Sequence, residues 1–231
     1  MPSPLPEILD NLHHAATAAG RPVPALLAVS KTQPPDAVAA LAAQGQRAFG
    51  ENYVQEAVAK IEALRGLALE WHLIGHLQSN KAEQAAQAFD WVQSVDRPKL
   101  VAALARHRRV ERGPLNVLIQ VNTDDESSKH GCAPGEVDAL AAAIRAEPTL
   151  RLRGLMAIPA PWPDPARRQQ AFSAMADLFD ALRAGHATVD TLSMGMSADY
   201  PEAIAAGATL VRIGTALFGA RARPADLEPS A

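Results

Sequence analysis

The sequence predicts an α/β protein in which eight parallel strands close into one (β/α)8 barrel of the TIM type, and three observations carry that expectation. From residue 25 onward short β-type runs alternate with stretches rich in Ala and Leu, and the chain of 231 residues holds eight such units. That length is close to the lower limit of such barrels, about 200 residues. The first run, Leu26 to Val29, is continuously apolar, as in a strand covered on both faces, and Pro34 and Pro35 open the helix behind it. The turn between them, Lys31-Thr32-Gln33-Pro34, contains no glycine. That argues against the runner-up, an open doubly wound sheet with a Gly-rich first turn.

An extra N-terminal helix precedes the barrel. Residues 5–19 carry Ile8, Leu12 and Ala16 on one face, and Gly20 stops them. Strands are expected at 25–31, 47–52, 69–75, 91–96, 115–122, 150–158, 191–196 and 209–214. Helices are expected at 36–43, 54–64, 81–89, 99–110, 136–146, 166–182 and 201–205, each rich in helix formers. The barrel then occupies about 25–222, and no linker of Gly, Ser and Pro divides residues 1–231, so one domain is expected. Residues 159–165 (P-A-P-W-P-D-P) read as a stiff loop over the barrel mouth, and the tail from Arg223 as frayed.

Composition closes off several classes of function. A net charge of -3 and a pI near 6.2 leave no basic footprint for nucleic acid or an anionic membrane surface. No segment has the 18 or so consecutive apolar residues of a membrane span, and residues 1–6 lack the basic start and apolar core of a signal peptide. The lone Cys132 makes neither an internal disulfide nor a metal cluster. A soluble, cytoplasmic protein is expected. His72 and His76 share a strand face in this reading but have no third ligand nearby, so no metal site is expected. Trp71 and Trp91 read as packing between strands and helices, and residues 106–112 (R-H-R-R-V-E-R) as a solvated basic patch at a helix end.

Polar residues gather at the carboxyl ends of the strands, the rim where barrels bind ligands. Lys31 ends the first. An amine desolvated there can lose its proton and attack a carbonyl, although a lysine snorkelling into solvent fits this segment equally well. If Lys31 points inward, so do Leu27 and Val29, while Ala28 and Ser30 face the helices. Residues 193–199 (S-M-G-M-S-A-D) and 212–215 (R-I-G-T) end the last two strands with glycines and hydroxyls, where barrel phosphate sites form. Taken singly, Gly195 and Gly214 could mark only tight turns and Ser197 only a helix cap; with an inward lysine the phosphate reading prevails. Arg212, two residues before Gly214, shares its face and needs an acceptor inside the barrel. An imine-forming lysine, a phosphate cradle and an inward arginine are the contacts expected for the aldehyde, phosphate and ring nitrogen of pyridoxal 5'-phosphate (PLP). Arginine donates to a pyridine nitrogen without readily protonating it, which makes a weak electron sink.

Six segments in order along the chain resemble the YggS/PROSC-type PLP homeostasis proteins. They are A-V-S-K-T-Q-P (28–34), F-G-E-N-Y-V-Q-E (49–56), W-H-L-I-G-H-L-Q-S-N-K (71–81), L-R-G-L-M-A-I-P (152–159), L-S-M-G-M-S-A-D (192–199) and V-R-I-G-T-A-L-F-G-A-R (211–221). That family is similar to the barrel domain of alanine racemase, a fold-type III PLP protein, without the racemase's second domain. The resemblance implies that Lys31 is the Schiff-base lysine, that Ser197, Gly214 and Thr215 bind the phosphate, and that Arg212 faces the pyridine nitrogen. It further implies that Asn52, His76 and Met156 are neighbours of the cofactor. Lys129, in S-S-K-H-G (127–131), falls where the family has a lysine linked to secondary PLP handling.

The function implied is intracellular PLP homeostasis: PLP held on a lysine, buffered or delivered to PLP-dependent apoenzymes, with little or no turnover. The alternative is a PLP-dependent amino-acid racemase. Racemisation needs acid and base groups on opposite faces of the cofactor, and this chain has only Tyr53 and Tyr200, with no extra domain to present one. A third reading, a Schiff-base aldolase without a cofactor, would leave Ser197, Arg212 and Gly214 idle or holding a substrate phosphate. The carrier is favoured, and without the racemase's partner domain a monomer is expected.

Overall fold

The computed structural model describes residues 4–123, 130–160 and 162–219. Among them eight parallel strands pair in chain order: β1 (Ala25–Val29), β2 (Ala48–Glu51), β3 (Glu70–Leu73), β4 (Trp91–Val95), β5 (Leu115–Gln120), β6 (Leu150–Met156), β7 (Thr191–Met196) and β8 (Leu210–Ile213). The last returns to the first, with Leu27 opposite Arg212, and the sheet closes. The helices are α1 (Leu5–Ala18), α2 (Pro35–Ala42), α3 (Val54–Ala63), α4 (Ala82–Ala88), α5 (Pro98–His107), α6 (Val137–Arg145), α7 (Pro165–Gly185), α8 (Tyr200–Ala206) and α9 (Thr215–Phe218). The (β/α)8 barrel expected from the sequence is the fold observed.

Strand alternation divides the apolar residues into layers. Leu26, Ala28, Phe49, Trp71 and Leu73 face outward into one large core shared with α2 and the other helices. Inside the barrel, Leu27, Ile74 and Leu210 pack with Val29 and Ala48, and separately Trp91 packs with Leu118 and Met156. Each buried Leu or Ile contributes about 2 kcal/mol through its apolar area. The N-terminal helix α1 buries Leu5, Ile8, Leu12 and Ala16, spaced three and four apart, and lies against α8 and α9. No described helix is long and apolar enough to cross a membrane.

Several strands end sooner than the sequence predicts. β1 stops at Val29 because the Gln33 N–H turns back to the Ser30 carbonyl, 3.0 Å, with Thr32 at a left-handed φ of 64°. β3 stops at Leu73, so His76 lies in the turn beyond it and does not share a strand face with His72. Trp91 packs inside the barrel, stacked on His72 with ring centroids 5.1 Å apart, rather than between strand and helix. Arg108 is buried rather than solvated, and Arg112, though exposed, is also engaged. The Arg108 guanidinium donates to the carbonyls of Ala86 and Phe89, and Arg112 to those of Gln87 and Ala88. Together they satisfy the last carbonyls of α4, which have no partners within their own helix.

Candidate cofactor site

Lys31 stands half-buried in the turn after β1, and both of its neighbours are anchored. The Ser30 hydroxyl donates to Glu51 Oε1 at 2.6 Å, and the Ser30 carbonyl accepts from Lys60 Nζ at 2.8 Å. The Thr32 N–H donates to Glu56 Oε1 at 2.6 Å. Lys60 ties these together, 2.7 Å from Glu51 Oε1 and 3.2 Å from Glu56 Oε1. It occupies the buried face of α3 with Val54 and Ala57. Burial is the main influence on the Glu51 carboxyl and raises its pKa, against the opposing effects of Lys60 and Ser30. A buried ion cluster between β2 and α3 therefore sets the turn that carries the lysine.

Arg212 lies on β8, next to β1, and is 3% exposed. Its Nη1 donates to Ser193 Oγ at 2.7 Å and its Nη2 to the Ala157 carbonyl at 2.8 Å. Burial pushes its pKa down to about 10, so it remains a cation at neutral pH. Met156, the last residue of β6, is opposite Ser193 and buried in the interior, which sets it beside this guanidinium. Past β7, the Met196 N–H donates to Asp199 Oδ1 at 2.6 Å and closes the turn that leaves Ser197 exposed. Past β8, Gly214 precedes α9, and a Cβ there would stand 3.2 Å from the Val29 carbonyl. Thr215 is exposed at the first turn of α9, whose leading N–H groups lack intrahelical partners.

Asn52 and His76 follow β2 and β3 and line one rim cavity of about 250 Å³. Gly75 permits this, because a Cβ on it would lie 2.2 Å from the Asn52 carbonyl oxygen. The His76 ring stacks on His130, centroids 3.7 Å apart, and its Nδ1 is 3.8 Å from Asp96 Oδ2. Burial, and then His130, lower its pKa. His130 was not singled out by the sequence, and Lys129 beside it lies outside the described residues. A larger cavity, about 550 Å³, opens at the opposite, amino end of the barrel between α7 and residues 21–24.

The residues suit PLP. Lysine, arginine, hydroxyls and helix-start N–H groups are donors or nucleophiles collected around the adjoining β7, β8 and β1, and both hydrogen-bond partners of the Arg212 cation are neutral oxygens. Such a set can receive an anionic ligand.

The class is that of the alanine racemase N-terminal domain, whose family model matches residues 5–222. An alanine racemase from Corynebacterium glutamicum shares the fold at 19% identity and a TM-score of 0.70, over 92% of this chain and 62% of the racemase. Much nearer is the pyridoxal phosphate homeostasis protein of Pasteurella multocida (strain Pm70), 52% identical over 223 residues, 94% of this chain and 96% of the relative. PipY of Synechococcus elongatus PCC7942, solved with PLP bound, superposes with a TM-score of 0.78 at 37% identity, over 89% of this chain and 98% of PipY. The chain belongs to the family of pyridoxal phosphate homeostasis proteins.

Proposed function

We propose that this chain binds PLP as a Schiff base on Lys31 and serves PLP homeostasis, buffering the cofactor or delivering it to apoenzymes, with little or no turnover. The observation that carries the reading is Arg212, a buried cation on the strand next to that of Lys31, whose hydrogen-bond partners are a hydroxyl and a carbonyl. When bound, PLP supplies an aldehyde for an amine to capture, a phosphate, and a pyridine ring with an acceptor nitrogen. Arg212 would donate to that nitrogen, Ser197, Thr215 and the Gly214 backbone would hold the phosphate, and Met156, Asn52 and His76 would be the cofactor's neighbours. The relatives' name and the PLP held by PipY support the assignment.

A racemase needs a second acid–base group over the ring. Tyr200 heads α8 against the helix layer, and Tyr53, although it lines the rim cavity with Asn52 and His76, is 60% exposed to solvent, so neither is held as a buried acid–base group over the ring. The protein acts in the cytoplasm as a monomer in this reading. Purified protein given PLP should take it up stoichiometrically, and Lys31→Ala should lose covalent attachment with a stability change below about 1 kcal/mol. No amino acid should be racemised. Covalent PLP retained in Lys31→Ala, or sustained racemisation by the parent protein, would overturn the proposal.

A further inference from the structure

Arg212 is the head of a longer chain of contacts. Ser193 Oγ, which accepts from its Nη1, lies 2.7 Å from Gln93 Oε1. Gln93 Nε2 lies 2.9 Å from His72 Nδ1, and His72 Nε2 lies 2.8 Å from Glu70 Oε1. Ser193, Gln93 and His72 are all buried, on β7, β4 and β3, and Glu70 reaches solvent at the amino end of β3 with its side chain 48% exposed. The chain crosses the barrel interior from the candidate ring-nitrogen contact to the opposite mouth.

Its direction follows from its far end. Glu70 has a lowered pKa, chiefly through the His72 hydrogen bond, so it is an acceptor at neutral pH and His72 Nε2 must carry a proton. Burial lowers the His72 pKa against the pull of Glu70 and Asp90, so the ring is neutral and Nδ1 bears only a lone pair. Gln93 must then turn its NH₂ toward His72 and its carbonyl toward Ser193. The Ser193 hydroxyl donates to that carbonyl, which leaves its lone pairs to Arg212. Each donor thus points away from the guanidinium, and the chain ends on a carboxylate.

We infer that Ser193, Gln93 and His72 are positioning residues for Arg212, a one-way hydrogen-bond relay that locks the guanidinium in the orientation from which it holds the PLP ring. The inference rests on the proposed PLP reading for its consequence, but not for its geometry. Two measurements test it. Nitrogen-15 correlation spectra of the His72 ring at pH 7 should show protonated Nε2 and bare Nδ1; the opposite tautomer, or an imidazolium, would overturn the relay. Gln93→Met should speed PLP loss from the holo-protein by about tenfold, the worth of one hydrogen bond in a charged chain. In an Arg212→Lys background the same change should add no more than about twofold, because both act through one group. Should Gln93→Met fail to fold, Ser193→Ala carries the kinetic test. An unchanged release rate, or effects that multiply fully with Arg212→Lys, would contradict the inference. If the parent protein takes up no PLP on Lys31, the proposed function fails, while the His72 tautomer still decides the relay.

Discussion

Lys60 and Arg212 are both nearly inaccessible cations, 4% and 3% exposed, but their surroundings differ. Lys60 meets two carboxylates and a backbone carbonyl, all within 3.2 Å. Arg212 meets a serine hydroxyl and a backbone carbonyl, and the nearest carboxylate in its hydrogen-bonded chain is Glu70, four links away. A buried charge is costly unless neutralised, by several kcal/mol per ion. Lys60 is neutralised within the protein and spends its charge on shaping the Lys31 turn. Arg212 has no carboxylate hydrogen-bonded to it; Asp199, beyond β7, supports its charge only through space, and its remaining N–H groups are left for a ligand. Within one barrel, then, the identity of the partners separates a structural cation from a binding one.

Lys60→Met leaves Glu51 buried beside no cation and should cost about 3–5 kcal/mol, read by urea denaturation of the PLP-free protein. A loss below about 1 kcal/mol would mean that Lys60 neutralises little. Arg212→Lys should do the reverse, weakening PLP retention more than about tenfold because an ammonium cannot keep a forked geometry, with stability changed by about 1–2 kcal/mol at most. Comparable stability losses from both changes would erase the distinction.

Acid and base titration should separate the two regions as well. The His72 pKa is lowered from 6.5 by burial, so the unfolded chain binds the proton more tightly. Stability is unaffected above 6.5 and falls as pH drops from there to the native value, by up to about 1.4 kcal/mol per pH unit. Glu51 runs the other way. Its raised pKa favours the folded state most below the ordinary value of 4.5, and that contribution fades as pH rises through the native value. Stability curves of His72→Phe and Glu51→Gln against pH should each lose one of these slopes; a parent curve flat below pH 6.5 would contradict the burial of a neutral His72.

The barrel was legible because its strands are short apolar runs punctuated by polar ends, and the phase set by Leu27 and Val29 correctly places Ser30 outward. Strand ends were less legible: Lys31 and Asn52 lie past them and β3 stops at Leu73 rather than 75, since turn closure such as Gln33 to Ser30 depends on backbone geometry that side-chain patterns do not report. The Glu51, Lys60 and Glu56 cluster had one visible signal. Lys60 falls three residues after Ala57 and six after Val54, on the apolar face of its helix, where an unpaired lysine would be out of place. The relay had almost none. Gln93 and His72 come from neighbouring strands, but Ser193 comes from β7 across the interior, and only closure of the barrel brings it to Gln93.

Peptide mass mapping after borohydride reduction of PLP-loaded protein locates the cofactor's lysine. One pyridoxyl-phosphate adduct is expected, on the peptide containing Lys31, and its loss in Lys31→Ala without transfer to another lysine. A fixed adduct found mainly on a different lysine, or no fixable adduct in protein that has taken up PLP, would contradict it.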